Sequence, residues 1–205
     1  MFKTDQEKFW AGEFGDKYIG RNNDLQMLSS STVLFSKILK RTSQIKSILE
    51  FGANIGVNLA ALRRLLPNAE TSGVEINKEA VKGLKKNVKK GKVYHQSILD
   101  FKVDYQRDLV FTKGVLIHLN PTTLPDVYKK MYKASKRYIL VAEYYNPTPI
   151  EISYRGNEGF LFKRDFAGEL LETFKDLKLV DYGFAYRRDN NFPDDDISWF
   201  LLEKK

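Results

Sequence analysis

The sequence contains no cysteine, which excludes disulfides, thiolate zinc sites and a cysteine nucleophile. It has two histidines, His95 and His118. A His-rich catalytic metal centre is therefore not expected, which leaves carboxylates as the one route to a metal, and no metal site is predicted. No apolar run approaches the roughly 18 residues needed to cross a bilayer. The amino-terminal segment Met1–Lys8 lacks the apolar core of a secretory signal. These absences predict a cytoplasmic protein with no membrane partner. Repeats and low-complexity tracts are also missing, apart from the short Ser29–Ser31 run.

What is present suits one globular domain. The chain has 205 residues, 42% hydrophobic and 13% aromatic, enough for a sizeable core without covalent staples. Lys and Arg outnumber Asp and Glu by 34 to 26, a formal charge of +8. Such a balance attracts nucleic acid, a phosphorylated metabolite or a nucleotide-linked sugar. The densest basic cluster, Lys82, Lys85, Lys86, Lys89, Lys90 and Lys92, alternates at helical spacing and reads as a solvated helix face.

Residues 3–23 are rich in Phe, Trp, Tyr and Gly without a clear period, and read as a lid or ordered extension. Residues 24–41 have helical periodicity. From there, strands and helices alternate. Strands are predicted at Ile45–Phe51, Thr71–Glu75, Lys92–His95, Asp108–Phe111 and Arg137–Glu143. Helices are predicted at Val57–Leu66, 77–90 (with Gly91 after its last turn) and 122–134. This βαβ rhythm implies right-handed crossovers and a parallel sheet covered on both faces. The tail departs from it. A helix at Arg164–Phe174 precedes strands Leu177–Arg187 and Ser198–Leu202, which a polar loop joins as an antiparallel pair. The whole reads as a single domain, 1–205, with residues 1–44 as lid and first helix and 45–205 as the α/β core.

The strongest motif is Ile48-Leu-Glu-Phe-Gly-Ala-Asn-Ile-Gly56. A buried strand enters glycines that let backbone approach a ligand, at the mouth of a helix. It is neither G-x-G-x-x-G nor a P-loop. Glu75 ends the next strand, about 20 residues beyond Gly52, where an acidic side chain meets ribose hydroxyls. Taken singly, Gly52 and Gly56 are turn glycines and Glu75 a helix-start carboxylate; on consecutive βα units they point to a nucleoside-containing cofactor.

Glu50–Gly56 resembles the first motif of class I S-adenosylmethionine-dependent methyltransferases, and Glu75 matches the residue they use on the cofactor ribose. Gln96–Phe101 resembles the segment that flanks the adenine, although Ser97 stands where many such enzymes have an Asp. Asp108–His118 resembles their fourth-strand motif, beside the methionine end. Phe9–Asn22 and Phe111–Pro121 resemble the methylases associated with pseudaminic acid biosynthesis. The resemblance implies a Rossmann-like, seven-stranded, mostly parallel sheet with an antiparallel C-terminal hairpin. It implies S-adenosyl-L-methionine as cofactor and S-adenosyl-L-homocysteine as product. The implied cofactor residues are Trp10, Tyr18, Arg21, Glu50, Phe51, Gly52, Ala53, Asn54, Gly56, Glu75, Ile76, Ser97, Ile98, Leu99, Lys113 and Gly114. Trp10 or Tyr18 is expected to offer a ring face to the sulfonium, and Tyr18 is counted with the catalytic candidates.

Asn146-Pro147 follows the fifth strand, the wrong place for the Asn-Pro motif of base-amino methyltransferases, which disfavours DNA methylation. His118 is read equally as a general base and as a packing residue; His95 reads as structural or as a neighbour of the adenine. Glu143, at a sheet edge where ligands bind, is expected to orient or deprotonate an acceptor, or to pair with a buried cation. Tyr144, Tyr145, Tyr154, Arg155 and Lys163 are the substrate-binding candidates, the cations suiting a carboxylate or phosphate. Asp194-Asp195-Asp196 reads as a solvated loop. The expected acceptor is a small anionic or sugar-type molecule of surface-polysaccharide assembly. RNA or protein methylation and a non-catalytic cofactor-binding regulator are the alternatives, and oligomeric state stays open.

Overall fold

The computed structural model describes residues 2–20 and 25–205. Two short helices, α1 (Asp5–Ala11) and α2 (Glu13–Ile19), precede α3 (Leu25–Leu39). The core then runs β1 (Ser47–Phe51), α4 (Val57–Leu65), β2 (Glu70–Glu75), α5 (Lys78–Asn87), β3 (Lys90–His95), β4 (Arg107–Lys113), α6 (Leu124–Ala134) and β5 (Ser135–Glu143). After a small ribbon of β6 (Ile150–Glu151) and β7 (Phe162–Lys163), the chain closes with α7 (Phe166–Thr173), β8 (Leu177–Ala185) and β9 (Ile197–Lys204).

The seven-stranded sheet has the order β3-β2-β1-β4-β5-β9-β8. Strands β1 to β5 pair in parallel, and β9 runs antiparallel to both β5 and β8. Alternation along each strand feeds two cores. Leu49, Val110, Ile139 and Leu202 face α6 and α7 on one side. Ile48, Leu109, Leu140 and Leu201 face α3 and α4 on the other. The expected sheet, hairpin and two helical layers are thus present. Strand order reverses between β1 and β4, so a crevice opens at their carboxyl ends, where open α/β sheets take ligands.

Three local expectations need correcting. Helix α5 stops at Asn87 and Gly91 lies inside β3, because Val88 is already extended and Lys90, at φ 60°, makes the turn. The amino-terminal segment is helical rather than aperiodic. Thr4 caps α1 by accepting from Glu7 N, and Glu7 reaches back to Thr4 N in a capping box. Helix α2 folds tightly against α1 because Gly15 has no side chain; a Cβ there would lie 1.9 Å from the Trp10 carbonyl oxygen. The third is the acidic loop described below. Among the described residues no helix is long and apolar enough to cross a membrane.

Candidate functional site

A cavity lies at the carboxyl ends of β1, β2 and β4, roofed by α1 and α2. Its floor begins at Gly52, whose φ of 71° is open to glycine but strained for other residues. A Cβ there would also come within 2.6 Å of a Val115 methyl. Gly52 N and Ala53 N both donate to Val74 O, at 2.9 and 3.0 Å, tying the turn to β2. Asn54 N donates to one Glu75 carboxylate oxygen and Asn77 N to the other, each at 2.7 Å. Burial pushes the Glu75 carboxyl up, while the backbone N–H groups of Asn77, Asn54 and Ile76 draw it back toward the ionised form. Asn54 Oδ1 is buried without a partner among the described residues.

His118 sits in a short turn after β4, buried and on the cavity wall. Its Nδ1 lies 2.6 Å from Phe160 O. A carbonyl only accepts, so Nδ1 carries the proton and Nε2 keeps the lone pair. Desolvation lowers the imidazole pKa to about 4 against the partial restoring effect of that bond. The ring is held 4.7 Å from both Trp10 and Tyr154. Trp10 also meets Tyr18 edge-on at 5.2 Å, and Phe9 packs on Phe160 at 4.2 Å, so the roof joins the 150–163 segment through ring contacts.

Of the sequence candidates, Trp10, Tyr18, Gly52, Ala53, Asn54, Glu75, Ile76, Ser97, Ile98, Lys113, Gly114, His118, Tyr144 and Tyr154 line this cavity. Arg21 lies outside the described residues. The remainder are elsewhere. Phe51 is in the core, Gly56 starts α4, and Leu99 packs on the core's edge. Glu50 is buried and accepts from Asn58 Nδ2 at 2.7 Å, and burial raises its carboxyl to about 8. Tyr145 is exposed against Phe200. Arg155 and Lys163 lie over the rings of Tyr154 and Tyr144, at 5.7 and 5.2 Å, and do not line the cavity.

Glu143 requires a correction. Both its oxygens turn back to accept from Val115 N, Leu116 N and Ile117 N, at 2.9 to 3.4 Å. It anchors the turn that carries His118 and is not among the residues that line the cavity. Burial nonetheless raises its carboxyl to about 7. Between the ordinary 4.5 and about 7 the folded chain holds a proton that the unfolded chain releases, so Glu143's contribution to stability is present below that window and lost as pH rises through it. Urea denaturation at pH 5 and 7.5 is expected to show a stability loss in the wild type that is smaller in Glu143→Gln. Equal losses would overturn this assignment.

The acidic loop is not simply solvated. Asp194 pairs with Lys113 at 2.9 Å, with both side chains nearly buried, and Asp195 lines the cavity mouth. Sequence reasoning also missed Gln6, Glu7, Met27, Asn58 and Asn77, all on the cavity wall. Asn77 caps α5 by accepting from Ala80 N, and its Nδ2 donates to Trp10 O and Asp16 Oδ1. No cluster of three or more metal-ligating His, Asp or Glu occurs among the described residues.

Residues 48–137 match the family model of a methyltransferase domain. No curated protein matches the chain by sequence. The magnesium protoporphyrin IX methyltransferase of Synechocystis PCC 6803, solved with bound S-adenosylhomocysteine, is similar over 98% of this chain and 100% of its own, with TM-score 0.70 and 11% identity. The 1,6-didemethyltoxoflavin-N1-methyltransferase of Burkholderia thailandensis is similar over 97% and 87%, with TM-score 0.70 and 11% identity. A sugar N-methyltransferase from Streptoalloteichus covers 95% and 94%, with TM-score 0.65 and 12% identity. The chain therefore has the class I methyltransferase fold, and the segment that matches a methyltransferase domain, 48–137, holds Gly52, Glu75 and His118.

Proposed function

We propose that this protein transfers a methyl group from S-adenosyl-L-methionine to an oxygen or nitrogen of a small polar acceptor, a sugar without a phosphate group being the class proposed. The observation that carries the reading is Glu75, its carboxylate fixed by two backbone N–H groups beside the Gly52 turn. The residues fit the cofactor. Each Glu75 oxygen retains acceptor capacity for a ribose hydroxyl, and the unpartnered Asn54 Oδ1 offers another acceptor. The cavity's charged wall groups are Glu7, Glu75, Asp195 and Lys113, the last already paired with Asp194. That balance suits a cationic cofactor and argues against both a phosphate backbone and a strongly anionic acceptor.

When bound, the cofactor supplies an electrophilic methyl group on its sulfonium. The protein's part is to align the partners and exclude water. Trp10, Tyr18, Tyr144 and Tyr154 wall the acceptor side, and Nε2 of His118 takes the proton that the acceptor loses. Calorimetry with S-adenosylhomocysteine tests the reading. Glu75→Ala is expected to weaken binding by about 10–100-fold, the loss of hydrogen bonds to a charged group. Unchanged affinity would remove Glu75 from the site.

A further inference from the structure

We propose that Glu7, on the roof helix α1, reads the exocyclic amine of the cofactor's purine, so that choosing a 6-amino base and closing the roof are one event. The inference rests on the cofactor reading above. With the ribose diol on Glu75 and the methyl end toward His118, as proposed above, the base would lie on the other side, by the tip of β3. Glu75 pairs in register with His95 of β3, so the turn at Ser97 and Ile98 stands beside it.

Among the described wall residues at that end, the charged group is Glu7, only 5% exposed. The Ser97 hydroxyl has no proton left to offer a base, since it donates to Glu7 Oε1 while accepting from Leu99 N. Glu7 Oε2 accepts from Lys3 N and Thr4 N. A carboxylate has about four acceptor positions; the three contacts leave one, on Oε1. The neighbouring Gln6 is tied to the His118 side of the cavity, since its partner Gly159 precedes Phe160. Its Nε2 donates to Gly159 O at 2.7 Å, while its Oε1 is buried and unpartnered among the described residues. At the base end α1 therefore offers the Glu7 acceptor, which suits an amino group and repels an oxo group. Glu7 belongs to the roof, so a base bound there holds the roof down.

The test uses the full chain, with calorimetry of S-adenosylhomocysteine and of its hypoxanthine counterpart, S-inosylhomocysteine. The wild type is expected to prefer the amino base by about 10–100-fold. In Glu7→Gln, which a capping box accommodates, the carboxamide presents an N–H, and the preference is expected to collapse or reverse. Saturating S-adenosylhomocysteine is also expected to protect Lys8 and Lys17 from trypsin more than the inosine compound does. A wild type without preference, or a Glu7→Gln variant that keeps it, overturns the proposal. A wild type that binds neither compound overturns the cofactor reading itself, a distinct result.

Discussion

Removing residues 1–20 is expected to take methyl transfer below detection and to weaken cofactor binding, while the sheet stays folded. None of residues 2–20 belongs to either apolar core. The segment is held by polar contacts of Glu7 with Ser97, Gln6 with Gly159, and Asn77 with Trp10 and Asp16, and by ring contacts of Phe9 with Phe160 and of Trp10 with His118 and Tyr154. Its loss strips Gln6, Glu7, Trp10 and Tyr18 from the cavity and admits water. Alignment of reacting partners supplies about 7–11 kcal/mol of barrier reduction, and that contribution depends on a closed, dry site. Turnover with labelled cofactor and circular dichroism of the truncated chain check the expectation. Full activity would overturn the roof's role, and a chain that cannot fold would assign the segment to the core.

The second large effect is at His118. His118→Ala is expected to lower kcat by about 10²–10⁴-fold with little change in S-adenosylhomocysteine affinity, the pattern of a lost base. Because burial lowers the imidazole pKa to about 4, the acid limb of the wild-type rate profile is expected near that pH rather than near neutrality. The base is neutral and active above the limb and protonated below it. His118's contribution to stability has the same sign: it is present above the ordinary 6.5 and lost as pH falls through about 4. A variant with normal turnover would leave His118 with packing alone.

Much of this was legible in the sequence because the informative residues are local. Strand, glycine turn, helix and acidic strand end form one continuous pattern, so Gly52 and Glu75 could be placed before any tertiary contact was known. The residues that went astray depend on distant partners. Glu143 ends β5 as expected, but which way its side chain turns is decided by three N–H groups from 115–117. Asp194 read as solvated because its cation, Lys113, is 81 residues away. The aromatics of the amino-terminal segment announced a covering role. Its helices, however, are seven residues each, too short for a period.

The position of β9 between β5 and β8 bears on how the protein is made. During synthesis β8 leaves the ribosome before β9, its partner in the sheet. At about 5–20 residues per second the wait lasts on the order of a second. Even in the finished fold Tyr182 and Phe184 remain 66% and 57% exposed, so the nascent strand presents aromatic rings and open backbone together. An unpaired edge of that kind is a template for association with other chains. Until residues 197–204 pair with it, β8 is therefore open to such association.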